Sequence, residues 1–114
     1  MFNRSRLPSI QAKELMEKIT KKEELTLLDV RKPREWAQTG VIPGSIMIEM
    51  QTLPREIQSG LNLKDKEPIV VVCRTGKRSS SIVKYLIEQL NINAINLEGG
   101  VVSWHRNGGK FEHI

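Results

Sequence analysis

Apolar positions along the chain follow two rhythms that alternate from one end to the other. Ala12, Leu15, Met16 and Ile19 recur at helical spacing behind Ser9, which predicts a helix capped by Ser9 and running to about Thr20. Leu25 to Val30 reads as a strand, and Pro33 fits the first turn of a short helix that ends near Gly40. After the Pro43-Gly44 turn, Ser45 to Glu49 predicts a strand, and Leu53 and Ile57 mark a helix that stops by Gly60. The stretch from Lys64 to Pro68 is a polar loop before the β-branched run Ile69-Val70-Val71-Val72, a buried strand. From Ser79 to Leu90 the stripe Ile82, Val83, Leu86, Ile87 and Leu90 predicts the next helix. Ala94 to Leu97 is a last strand, Gly99-Gly100 turns into a terminal helix holding Trp104, and Gly108-Gly109-Lys110 reads as a frayed tail.

This β–α alternation predicts an α/β fold with a mostly parallel central sheet and helices on both faces. No repeat, low-complexity stretch or linker interrupts it, so residues 1–114 read as a single domain with its core at about 9–108. In such sheets ligands bind beyond the carboxyl ends of the strands.

Cys73, the only cysteine, falls at one of those ends and opens the segment Cys73-Arg74-Thr75-Gly76-Lys77-Arg78-Ser79-Ser80. A strand-to-helix turn places the thiol beside the unpaired N–H groups of a helix N-terminus, where the dipole favours an anion. Nearby Lys and Arg favour the thiolate further. Gly76 lets the backbone turn inward so that N–H groups converge on one point, while Arg74, Lys77 and Arg78 attract an anionic substrate. Most lone cysteines are inert core residues. A cysteine followed by Arg, Gly, Lys and Arg is poorly suited to a dry core, and points to a nucleophile.

Composition narrows the picture. A single cysteine excludes an internal disulfide and fits a reducing, cytoplasmic setting. The start, Met1 to Pro8, has basic residues but no apolar core of a signal peptide, and no apolar run is long enough to cross a bilayer. The net charge of +5 raises the question of nucleic acid, but the basic residues are dispersed and aromatic residues are scarce. A small anion accounts better for the local cluster. Of the two histidines, His105 is expected on the face of the terminal helix and His113 beyond it, so no general base is assigned. No metal or cofactor is called for. Trp36 and Trp104 are expected as packing anchors, and Asp29 and Arg31 as an ion pair bracing a strand end.

The turn resembles the active-site loop of the rhodanese-like (thiosulfate sulfurtransferase) family in its single-domain form. Three further segments agree in order. Leu27-Leu28-Asp29-Val30-Arg31 with Pro33-Arg34-Glu35-Trp36 is similar to the first family signature. Gly40-Val41-Ile42-Pro43-Gly44-Ser45-Ile46 is similar to the Gly-His-Ile-Pro-Gly-Ala segment, with Val41 where histidine is usual, a change the fold is expected to tolerate. Leu97-Glu98-Gly99-Gly100 through Trp104 is similar to the C-terminal signature.

The resemblance implies that Cys73 is the catalytic cysteine and that Arg74, Thr75, Gly76, Lys77, Arg78 and Ser79 form the substrate-binding loop. It implies transfer of sulfane sulfur through a Cys73 persulfide, from a small anionic donor, thiosulfate given the cationic loop, to a thiol or thiol-protein acceptor. Related cysteine-dependent phosphatases and arsenate reductases place five residues between cysteine and arginine, whereas four separate Cys73 from Arg78. Phosphate chemistry is disfavoured on that ground. A sulfur-carrier or protein-interaction module loaded by partner proteins is the alternative. Physiological donor and acceptor, pathway and oligomeric state are not specified by the chain.

Overall fold

The computed structural model describes residues 7–114. Five strands, β1 (Ser9–Ile10), β2 (Thr26–Asp29), β3 (Ile46–Met47), β4 (Ile69–Val72) and β5 (Ala94–Leu97), form one sheet in the order β1-β5-β4-β2-β3. Every adjacent pair is parallel. The helices are α1 (Ala12–Thr20), α2 (Pro33–Thr39), α3 (Leu53–Gln58), α4 (Lys77–Leu90) and α5 (Gly100–Arg106), with a 3₁₀ turn at Lys64–Lys66.

Side chains alternate across the strands and divide the core in two. Leu28, Val30, Ile69, Val71 and Ala94 pack with Leu53 of α3 and Ile82, Val83 and Leu86 of α4. Leu27, Val70, Val72 and Leu97 pack with Ala12 and Leu15 of α1 and Val101 and Trp104 of α5. Strand β4 is buried along its whole length, as a central parallel strand covered on both faces must be.

The chain leaves β2 through α2 towards β3 on one side, and leaves β4 through α4 towards β5 on the other. The two neighbouring strands therefore send their connections in opposite directions. Between their carboxyl ends the sheet opens a crevice, the usual ligand position of an open α/β sheet.

Two expectations are corrected. Ser9 does not cap α1. It lies in the edge strand β1, paired in register with Asn96, and the cap position belongs to Gln11, which makes no side-chain cap bond. The backbone bonds Asn96 N–H to Pro8 O (2.9 Å) and Glu98 N–H to Ile10 O (2.9 Å) outcompete a local cap. Nor is the tail after α5 frayed. Gly109 N–H donates to Trp104 O at 2.8 Å, the Trp104 indole N–H donates to Lys110 O at 2.8 Å, and Glu112 and Val41 exchange two backbone bonds at 2.7 and 2.9 Å. Gly40 and Gly109 permit this return, since a Cβ on either would strike Glu112 O or the Trp104 ring.

Candidate active site

Strand β4 ends at Val72 and delivers Cys73 to the crevice with 1% of its surface exposed. Its side chain points into the α3–α4 layer. The turn then reverses at Gly76, which has φ +101° and stands as the N-cap of α4, so the helix begins two residues earlier than its apolar stripe suggests. That geometry aims the Gly76 N–H at Cys73 Sγ, at 3.1 Å. One turn on, the fully buried Ser79 places its Oγ 3.2 Å from the same sulfur. The sulfur thus has one backbone donor, and beside it a hydroxyl whose single proton is contested by Asn96 Oδ1. A thiolate is better served by such donors than a thiol is.

The remaining predicted residues separate. Arg74, Thr75 and Lys77 are exposed around the rim of the turn. Arg78 is drawn away from the sulfur into a bidentate pair with Glu35 of α2, at 2.7 and 2.8 Å. The guanidinium holds the Glu35 carboxyl at about 2, down from 4.5, with the Lys32 N–H assisting and partial burial opposing. Glu35 in turn raises Arg78. Arg78 is therefore a tie between α2 and the turn rather than a free cation.

Three contributors were not identified from sequence. Asn96 of β5 donates from Nδ2 to Gly76 O at 3.2 Å, and its Oδ1 forms a short hydrogen bond with Ser79 Oγ. The available signal was an amide inside the apolar strand Ala94-Ile95-Asn96-Leu97. Glu35 lies 43 residues from its partner, and no local pattern reveals that pairing. Gly100 opens α5 against the back of the turn. Val101 N–H donates to Cys73 O (2.9 Å) and Val102 N–H to Arg74 O (3.1 Å), and a Cβ on Gly100 would overlap both carbonyl oxygens.

The brace expected at the end of β2 is present. Arg31 is 1% exposed and its guanidinium meets both Asp29 carboxylate oxygens, Thr39 Oγ1 and Gly40 O. Trp36 is half-buried and donates its indole N–H to Asp29 at 3.1 Å, whereas Trp104 is the core anchor. His105 is exposed on α5 and lies against Phe111, with ring centroids 6.2 Å apart. Val41 is buried and takes the tail bridge, so the position tolerates an apolar side chain. No helix among the described residues is long and apolar enough to cross a membrane.

A lone buried cysteine at the switch point of a parallel sheet, presented by a strand-to-helix turn with a backbone N–H aimed at its sulfur, defines the class of α/β domain to which the chain belongs. The chain belongs to the rhodanese-like domain family, whose model matches residues 11–107. It is 42% identical over 98 residues to the Bacillus subtilis (strain 168) protein named "Putative sulfurtransferase YtwF", covering 86% of this chain and 90% of that one. It is 34% identical over 99 residues to a sulfurtransferase of Allochromatium vinosum, covering 87% and 89%. A rhodanese-like domain protein from Staphylococcus aureus has the same fold, with a TM-score of 0.78, 35% identity and coverage of 93% of this chain and 99% of that one. At family level, these relatives associate the fold with sulfur transfer.

Proposed function

We propose that the chain is a sulfurtransferase that takes sulfane sulfur from a small anionic donor of the thiosulfate class, holds it as a Cys73 persulfide and passes it to a thiophilic acceptor. The observation that carries this reading is the setting of Cys73 Sγ, with the Gly76 N–H aimed at it and the Ser79 hydroxyl, shared with Asn96, within reach. They stabilise negative charge on sulfur before reaction and again once it is regenerated.

Exposed Arg74 and Lys77 draw the donor to the turn. The Cys73 thiolate attacks the outer sulfur of thiosulfate. A new S–S bond forms, the original one breaks, and sulfite leaves with the bonding pair. The persulfide keeps one negative charge. An acceptor thiolate then attacks the terminal sulfur, and Cys73 departs as thiolate with the pair of the broken bond. No net oxidant or reductant is required, and the two halves are separable as ping-pong chemistry.

Phosphate chemistry is poorly supported by the same turn. The arginine that would clamp a transferring phosphoryl group is occupied by Glu35. The deciding experiment pairs thiosulfate:cyanide activity with mass spectrometry of the protein after thiosulfate alone. Thiocyanate formation and a gain of about 32 Da, both lost in Cys73→Ser, are expected. An adduct without turnover would instead favour a carrier loaded by proteins, and no adduct with any sulfur donor would overturn the reading.

A further inference from the structure

Asn96 stands on β5 with its backbone fixed from both sides, in register with Ser9 of β1 and Val71 of β4. Its side chain leaves the same face of the strand as Ala94, towards the α3–α4 layer into which Cys73 also points. An amide in that apolar layer needs partners for its polar atoms, and it finds them at two points of the cysteine turn. Nδ2 donates to Gly76 O at 3.2 Å, and Oδ1 bonds to Ser79 Oγ.

The protons in this cluster can be counted. Gly76 O can only accept, and already takes the Ser80 N–H at 3.1 Å, so the amino side of the amide has to face it. Oδ1 is thereby left facing Ser79, and an amide oxygen has lone pairs alone to offer. The proton in that short bond comes from the Ser79 hydroxyl, which has only one. Towards Cys73 Sγ, 3.2 Å away, Oγ then presents a lone pair. A thiolate would be repelled there, whereas a thiol can donate its S–H. With Cys73 as a thiol the donors run in one direction: Gly76 N–H to Sγ, S–H to Oγ, O–H to Oδ1, and Nδ2–H back to Gly76 O. The chain starts and ends on one residue, and bonds aligned head to tail reinforce one another.

We infer that Asn96 is a positioning residue for the cysteine: by claiming the Ser79 proton, it holds the resting Cys73 as a thiol hydrogen-bonded to Ser79 Oγ. Forming the nucleophile then takes two movements. The thiol proton leaves to a base in solution while its bonding pair stays on sulfur. The Ser79 hydroxyl turns about its Cβ–Oγ bond, from Oδ1 to the charged sulfur, and keeps its own proton. A hydrogen bond to an ionised acceptor is roughly twice as strong as a neutral one, so the turn is favourable once the charge is there. The consequence for catalysis, an attacking thiolate restrained by Asn96, rests on the sulfur-transfer reading.

With one cysteine in the chain, the protein has one S–H stretching band, and that band moves to lower frequency when the thiol donates to oxygen. Infrared spectra of the reduced full-length protein at mildly acidic pH test the assignment. Ser79→Ala removes the acceptor, and Asn96→Ala frees the hydroxyl to donate to Sγ, so both should raise the frequency of the band above that of wild type. Asn96→Asp keeps an oxygen that accepts the Ser79 proton, and should leave the band near its wild-type position. A band that does not move in Ser79→Ala shows a hydroxyl already donating to sulfur, and overturns the inference whether or not the Asn96 variants fold. A band displaced by Ser79→Ala but not by Asn96→Ala removes Asn96 from the role. Equal displacement in Asn96→Ala and Asn96→Asp marks a general disturbance of the turn and also overturns it. No sulfur donor enters these measurements. If the band behaves as expected while thiosulfate leaves no persulfide, the sulfur-transfer reading falls and the Asn96 assignment stands.

Discussion

Glu35→Gln tests how the cysteine turn is anchored. The carboxylate binds Arg78 through both oxygens and also accepts the Lys32 N–H at 3.1 Å. Its pKa falls from 4.5 to about 2, chiefly through the Arg78 hydrogen bonds. At about 1.36 kcal/mol per pH unit that displacement caps the pair at roughly 3 kcal/mol. The Glu35 and Arg78 side chains remain 21% and 34% exposed, so solvent screening reduces this to roughly 1–2 kcal/mol. A carboxyl whose pKa is lowered by folding stabilises the protein above its unfolded value, and loses that contribution as pH falls through its folded value. Wild type should therefore exceed Glu35→Gln by about 1–2 kcal/mol in urea unfolding at pH 7. The difference should shrink from about pH 4.5 downward and nearly vanish by about pH 2. Glutamine keeps the shape and the Lys32 contact, so a difference equally large at pH 7 and pH 2 would place its origin in packing. No difference at pH 7 would show that the tie contributes nothing.

Ser79→Ala removes the hydroxyl donor from Cys73 Sγ, and alkylation by iodoacetamide at pH 7 should slow about tenfold; an unchanged rate would remove Ser79 from the site. The single Ser79 proton is also wanted by Asn96 Oδ1, so Asn96→Ala should release it to the sulfur and quicken alkylation severalfold. If Asn96 acts through Ser79, the same change in a Ser79→Ala background should have no effect, which a double-mutant cycle reads directly. Gly100→Ala sets a Cβ against the carbonyl oxygens of Cys73 and Arg74 at φ +56°, and a loss of at least about 2 kcal/mol is expected in chemical denaturation.

The parts of the fold legible in the sequence are those whose signals are local. The β-branched run of β4 and the boundaries of β5 depend on burial of consecutive residues, and α2 starts at Pro33 because proline suits a helix's first turn. What was misread depends on distant partners. Ser9 has the chemistry of a cap, but β5 offers backbone bonds to the residues around it that no local window contains. Gly108-Gly109 has the composition of a loose end, but Trp104 and Val41 both receive the tail. In the site, Cys73, Gly76 and Ser79 converge because a four-residue turn leaves little choice. Arg78 could have pointed either way, and the partner that decides it lies 43 residues off.

That diversion of Arg78 bears on what the site can stabilise. With its guanidinium held by Glu35, Cys73 Sγ has as its hydrogen-bond partners one amide and one hydroxyl, both neutral. Two neutral donors match the single charge of a thiolate or persulfide, which is the same before and after each transfer. They are a poor match for the charge spread over three oxygens in a phosphoryl transfer, where cationic clamps supply much of the stabilisation. The exposed cations, Arg74 and Lys77, lie on the rim of the turn, where they attract anions. Charge for capture and neutral donors for chemistry are thus separated in space.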